Sequence, residues 1–162
     1  MPKVLSFVGT SDSGKTTLVS KLISELRNRG IRVAVIKHAH DGFELDRKGS
    51  DSFTYQEAGA HGVMLASPQG IALMKSSPTD VDLDELITFF PDVDLVITEG
   101  FKKENKPKIE VYRAGRDEPP LGSRLENLIA TVTDAPIHTD QPVFPTQDIL
   151  ALADFVVKTF LS

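Results

Sequence analysis

A three-layer α/β fold, with a mainly parallel sheet between helices on both faces, is predicted by three features of this 162-residue chain. The apolar runs Val4–Val8, Val33–Ile36 and Leu95–Thr98 are short and nearly continuous, as in strands buried on both faces. After the first run the period lengthens: Leu18, Leu22, Ile23 and Leu26 share one helical stripe, and Gly30 stands where a C-cap glycine is expected. Strand, helix and strand within the first 37 residues make a βαβ unit, which closes by a right-handed crossover onto a parallel pair.

The remaining elements follow in order. The polar stretch from Asp41 to Gly62 carries a short helix at Ser52–Ala58. Val63–Ala66 and Ile71–Met74 flank Ser67-Pro68-Gln69-Gly70, whose proline and glycine suit a type I turn, so these residues form an added β-hairpin on or near a sheet edge. Thr79 is placed to cap a helix bearing Leu83, Leu86 and Ile87, which ends before Pro91. Ile109–Tyr112 and Leu128–Val132 read as further strands, separated by a Pro-, Gly- and charge-rich segment from Arg113 to Asn127 that reads as a mobile surface loop. A last helix starting near Thr146 puts Ile149, Leu150, Ala153, Val156, Val157 and Phe160 on its apolar face.

Length and composition predict one domain over residues 1–162: the chain is 40% hydrophobic and 25% charged, close to the average for globular proteins. The net charge of −5 argues against a general nucleic-acid or membrane-surface binder, while leaving room for a local basic pocket. Cysteine is absent, which excludes disulfides and thiolate metal sites. No secretory leader and no apolar run near the roughly 20 residues of a membrane span are visible, so the expected location is cytoplasmic.

Gly9–Thr16, GTSDSGKT, fits GxxxxGK[ST] between a predicted strand and a predicted helix, the context that gives such a match meaning. Gly9, Thr10, Ser11, Asp12, Ser13 and Gly14 would turn successive amides inward onto a phosphate chain at a helix N-terminus. Lys15 would bridge the β and γ phosphates, the Thr16 hydroxyl would bind Mg²⁺, and Thr17 would cap the helix or touch the α phosphate. The fold is therefore that of a P-loop NTPase. Glu99 closes a buried strand at the end where ligands of open sheets collect, either holding the water shell of Mg²⁺ or facing solvent at a turn. Asp94, at the other end of that strand, reads as structural.

Lys37, His38, Ala39, His40 and Asp41 follow the second strand as candidates for sensing the γ phosphate; a histidine metal site or plain loop polarity are the alternatives. Asp46 and Asp51-Ser52 would supply a second Mg²⁺ contact or a base that orients the attacking water. Thr133 and Asp134 follow the last strand and are the candidate base reader. Guanine offers two donors to one carboxylate where adenine offers an acceptor, so Asp134 favours GTP; a strand-end turn aspartate is the other reading.

The order GTSDSGKTTL, KHAHDGFELDRKGSDS, EAGA, EGFK, KIEV and VTDAP resembles the molybdopterin-guanine dinucleotide biosynthesis adaptor family, the MobB type, over most of the chain. The resemblance implies a GTP-binding, dimeric protein with weak Mg²⁺-dependent GTPase activity. It also implies a partner, the molybdenum cofactor guanylyltransferase of the MobA type, which joins GMP from GTP to molybdopterin. Carried over by position, Gly9–Thr17 become phosphate and Mg²⁺ contacts, Glu99 the second-strand acid, and Thr133 with Asp134 the base site. Two other readings share the phosphate loop. A small-molecule kinase would need an arginine-rich lid, for which Arg113, Arg116 and Arg124 are available, and a metallochaperone GTPase would use His38, His40, His61 and His138.

Overall fold

The computed structural model describes residues 1–39, 42, 46–77, 80–115 and 119–161. In chain order its elements are β1 (Lys3–Val8), α1 (Lys15–Asn28), β2 (Val33–Lys37), α2 (Asp51–Glu57), β3 (Gly62–Ser67), β4 (Gly70–Lys75), α3 (Leu83–Ile87), β5 (Leu95–Glu99), β6 (Lys108–Val111), a 3₁₀ turn (Gly122–Arg124), β7 (Leu128–Val132), β8 (Val143–Phe144) and α4 (Ile149–Phe160). They divide into two compact units, Met1–His38 with Leu83–Ser162, and Ala39–Asp82.

In the first unit a six-stranded sheet runs in the order β2-β5-β1-β6-β7-β8, and every pairing is parallel. Such a sheet needs cover on both faces, because its strands connect through crossovers that lie on them. On one face Leu5, Phe7, Ile97, Ile109 and Val132 pack with Leu18, Leu22 and Leu26 of α1 and Leu152, Ala153 and Val156 of α4. On the other, Ala34, Ile36 and Val96 pack with Leu83 and Ile87 of α3. The chain turns left from β1 to β2 and right from β5 to β6, so the carboxyl ends of β1, β5 and β6 frame a switch-point crevice.

Helix α1 ends as its sequence requires: Gly30 N–H donates to Arg27 O (2.9 Å) and Ile31 N–H to Leu26 O (3.0 Å), the two bonds of a Schellman motif. Helix α4 begins with its apolar stripe at Ile149, later than the start expected near Thr146. Its N-cap is Asp148, whose carboxylate accepts from Ala151 N–H, while Thr146 is engaged elsewhere. The short strand β8 lies between Pro142 and Pro145 and carries too few residues to show a period, which is why the sequence did not announce it.

The segment after β6 is also more ordered than its composition suggests. The Glu110 carboxylate, 2% exposed, accepts from Leu121 N–H (2.5 Å) and Gly122 N–H (3.0 Å) and so holds the 3₁₀ turn against the sheet. Its neighbour on the same strand face, Lys108, is 1% exposed; its ammonium donates to the carbonyls of Glu104, Lys106 and Glu126. Burial lowers the Lys108 ammonium from the ordinary lysine value, with Glu126 and Glu104 opposing the shift.

The second unit holds α2 and the β3–β4 hairpin, a two-stranded sheet of its own rather than part of the larger ladder. Its register, Gly62↔Lys75 through Ser67↔Gly70, leaves Pro68 and Gln69 as the turn. Ser50 caps α2 by accepting from Phe53 N–H at 3.1 Å. Thr79, expected to cap the third helix, lies outside the described residues.

Candidate functional site

The site begins where β1 stops. Gly9 follows Val8 with its Cα pressed against β6: a Cβ built there would lie 2.3 Å from the Val111 carbonyl oxygen, so no side chain fits. The loop turns through Asp12 (φ 53°) and Gly14 (φ 92°), and Gly14 caps α1 without a side-chain bond. The first bond into the helix runs from Leu18 N–H to Gly14 O (3.0 Å), so the amides of Lys15, Thr16 and Thr17 precede the helical ladder. With no acidic residue in its first turn, α1 presents its positive end toward the loop.

The Lys15 ammonium is turned into that loop, donating to Thr10 O at 2.5 Å, Gly9 O at 3.3 Å and Ser13 Oγ at 3.4 Å. Burial pulls its pKa below the usual lysine value; Glu99 and Asp12 oppose the shift, and Lys102 and Lys37 reinforce it. Glu99 reaches the loop from the end of β5. Thr16 Oγ1 donates to both of its carboxylate oxygens at 3.3 Å, across 83 residues of sequence. Lys37, paired with Glu99 in the β2–β5 register, brings its ammonium to 3.9 Å of Oε1.

Around Glu99 the backbone is tightly set. His38 N–H donates to Glu99 O (3.0 Å) and Gly100 N–H to Phe7 O (3.2 Å). Gly100 has φ 96°, and a Cβ there would come within 3.1 Å of His38 Cβ. The His38 ring lies 5.0 Å from that of Phe101. His40 and Asp41 lie outside the described residues.

Thr133 and Asp134 stand at the carboxyl end of β7. Thr133 is buried and its hydroxyl accepts from Ala135 N–H at 3.0 Å. The exposed Asp134 carboxylate accepts from both the amide and the hydroxyl of Thr146, which hold its pKa below the ordinary carboxylate range with smaller help from Arg113. This fastens the approach to α4, a structural duty that the sequence reading left open.

Asp46 belongs to the second unit. Its Oδ1 accepts from Arg47 N–H and Ser50 Oγ, both at 2.8 Å. The Ser52 and Ser50 hydroxyls, with the Arg47 amide, hold its carboxyl below the usual range. Of the arginines that a kinase lid would use, Arg124 donates to Leu121 and Pro120 carbonyls of its own loop, and Arg116 is not among the described residues. No group of three or more His, Cys, Asp or Glu side chains forms a cluster among the described residues.

Asp94 is confirmed as structural. It accepts from Arg32 N–H (2.8 Å), Nε (3.2 Å) and Nη2 (2.8 Å) at the end of the sheet away from the loop. The sequence reading missed the burial of Lys108 and Glu110. The alternation of charged Lys108 and Glu110 with Ile109 and Val111 was the available signal, but it usually marks a half-exposed strand.

Residues 4–134 match the family described as MobB, molybdopterin guanine dinucleotide synthesis protein B. The chain is 41% identical over 155 residues to the molybdopterin-guanine dinucleotide biosynthesis adapter protein of Haemophilus influenzae, covering 94% of this chain and 86% of the relative. The same protein of Escherichia coli is 38% identical over 163 residues, with 98% and 93% covered. A crystal structure of molybdopterin-guanine biosynthesis protein B superposes with a TM-score of 0.76 at 32% identity, over 96% of this chain and 99% of that one. A MobB homolog from Bacillus stearothermophilus gives 0.74 at 25% identity, with 97% of each chain covered. Strand order, phosphate-loop geometry and these likenesses agree: the chain belongs to the MobB family of molybdopterin-guanine dinucleotide biosynthesis adapter proteins.

Proposed function

We propose that this adapter protein binds GTP with Mg²⁺ and hydrolyses it slowly, serving a guanylyltransferase of the MobA type that builds the dinucleotide on molybdopterin. The observation that carries the reading is the meeting, at the carboxyl ends of β1 and β5, of a phosphate loop, the Lys15 ammonium, the Thr16 hydroxyl and the Glu99 carboxylate. Gly9 to Gly14 and Thr17 supply backbone amides and hydroxyls to the phosphates, and Lys15 supplies a counter-charge. Thr16 and Glu99 offer hard oxygen donors, the set that Mg²⁺ prefers, with Glu99 acting through the ion's water shell. Bound there, Mg²⁺ would draw charge from the terminal phosphates.

Thr133 and Asp134 are assigned to the guanine, with the carboxylate lone pairs not used by Thr146 accepting from the base. The whole 1–162 chain acts as one nucleotide-binding module in the cytoplasm, and pairs as a homodimer. Support for pairing comes from the hairpin, where Ile71 is 74% and Met64 60% exposed on a two-stranded sheet. No helix among the described residues is long and apolar enough to cross a membrane.

Calorimetric titration with GTP and ATP in the presence of Mg²⁺ tests the nucleotide assignment. Preferential GTP binding, together with faster dinucleotide formation when the protein is added to the guanylyltransferase and molybdopterin, is the expected result. Equal affinity for the two nucleotides, or no binding of either, overturns it.

A further inference from the structure

Strands β5 and β6 run parallel with β1 between them, so the chain must cross β1 to pass from one to the other. It does so in the eight residues 100–107, in turns and bends rather than a helix, where such a crossover ordinarily takes about a dozen residues or more. The sheet under this strap is polar. Leu5, Phe7, Ile97 and Ile109 face the core beneath α1, so Ser6, Thr98 and Lys108 face the opposite way, side by side in the ladder and each no more than 1% exposed. Phe101 packs on that same face with the cluster that includes Val96, and Thr98 Oγ1 donates to Ser6 Oγ at 2.7 Å.

The Lys108 ammonium has three N–H donors and meets three backbone carbonyls. Two belong to the strap, Glu104 O at 2.5 Å and Lys106 O at 3.2 Å; the third, Glu126 O at 3.1 Å, belongs to the next connection. An apolar side chain of the same length would fill this place without the cost of burying a charge, so what the lysine adds is the grip of its donors. The strap is tied at its start as well. Gly100 N–H donates to Phe7 O and Glu104 N–H to Phe101 O, both at 3.2 Å, and the Phe101 ring lies 5.0 Å from that of His38. Phe101 keeps a φ of 52°, a conformation that a bulky residue holds only where its surroundings over-determine it.

These ties lead to Glu99, the residue just before the strap. It stands on the last rung of both its ladders, where strands open most readily, and its carboxylate meets Thr16 Oγ1 and Lys37 Nζ no closer than 3.3 Å. Contacts that long leave its direction to the backbone. We propose that Lys108 is a positioning residue for divalent-ion binding: by clamping the strap to the sheet it holds the end of β5, and with it the Glu99 carboxylate, where the ion's water shell is met. This rests on the reading that Thr16 and Glu99 take Mg²⁺ with bound GTP.

Calorimetric titration of GTP binding over a range of Mg²⁺ concentrations tests the assignment in wild type, Glu99→Gln, Lys108→Met, Phe101→Gly and Asp94→Asn, with circular dichroism to check folding. The Mg²⁺ concentration at half effect should rise about tenfold in Lys108→Met, the lower range for losing a group that orients a metal ligand, and at least as much in Glu99→Gln. GTP affinity of Lys108→Met in EDTA should stay within about twofold of wild type. Phe101→Gly, whose φ suits glycine but which leaves His38 without its ring partner, should shift the midpoint in the same direction, and it decides alone if Lys108→Met does not fold. Asp94→Asn, which loosens the other end of β5, should leave the midpoint in place. If Glu99→Gln raises the midpoint while the strap variants keep the wild-type value, this inference falls and the nucleotide reading stands. A rise in Asp94→Asn equal to that in Lys108→Met also overturns it, because the shift then reports general loosening. Wild type that binds no GTP, or binds it without regard to Mg²⁺, overturns both.

Discussion

Strand β5 is preceded by one carboxylate and ends on another, and the two are treated in opposite ways. Asp94, just before the strand, takes three bonds of 2.8–3.2 Å from one arginine residue, and that pairing holds its pKa down at about 2. Glu99, at the far end, meets the Thr16 hydroxyl at 3.3 Å and the Lys37 ammonium at 3.9 Å. A carboxylate that serves the fold is saturated by short, directed donors. Under the proposed function, the loosely held Glu99 is the one whose partners a phosphate or a hydrated ion can re-engage. The two stand five residues apart, at opposite ends of the same strand.

The contrast can be broken most severely at the loop end. Lys15→Ala should reduce GTP affinity about a hundredfold, the upper range for losing a charge-assisted contact, with the melting temperature little changed; calorimetry beside a thermal melt reads both. Glu99→Gln should slow Mg²⁺-dependent GTP hydrolysis at least about tenfold and again leave the melt alone. Asp94→Asn should do the reverse, lowering the melting temperature by a few degrees and leaving nucleotide affinity within about twofold. If Asp94→Asn impaired binding as strongly as Glu99→Gln, the division of labour along β5 would be wrong.

Acid sharpens the same comparison. The Asp94 carboxyl is depressed in the folded protein, so its contribution to stability is complete above its unfolded value of about 4. It is lost as pH falls through the folded value of about 2. The melting temperatures of wild type and Asp94→Asn should therefore converge between about pH 4 and pH 2. The smallest effect is expected at the base. Asp134→Asn should narrow the GTP to ATP preference roughly threefold, because an amide can offer a donor to adenine. The Thr146 hydroxyl can reverse and accept from that amide, so α4 keeps its anchor. A preference unchanged by the substitution would place base recognition on another residue.

How much of this was legible in the sequence follows the range of the forces involved. The phosphate loop was readable because its glycines, lysine and threonine act within eight consecutive residues and sit between a strand and a helix that announce themselves by period. The position of Glu99 beside that loop was readable because the carboxyl ends of neighbouring parallel strands open into one crevice. Lys108 and Glu110 were not, because backbone groups far along the chain satisfy them: the carbonyl of Glu126 in one case, the amides of Leu121 and Gly122 in the other. A pattern that ordinarily signals one wet face here marks charges sunk beneath two loops. The start of α4 was misjudged for a similar reason, since Thr146 gives its hydrogen bonds to Asp134 rather than to a helix.

The seating of Gly9 on the Val111 carbonyl has a consequence for how this protein tolerates change. Since even a methyl group would overlap that oxygen, a library randomised at codon 9 should return glycine alone among its folded, nucleotide-retaining survivors. Codons for the neighbouring loop residues Ser11 and Asp12, both exposed, should drift more widely.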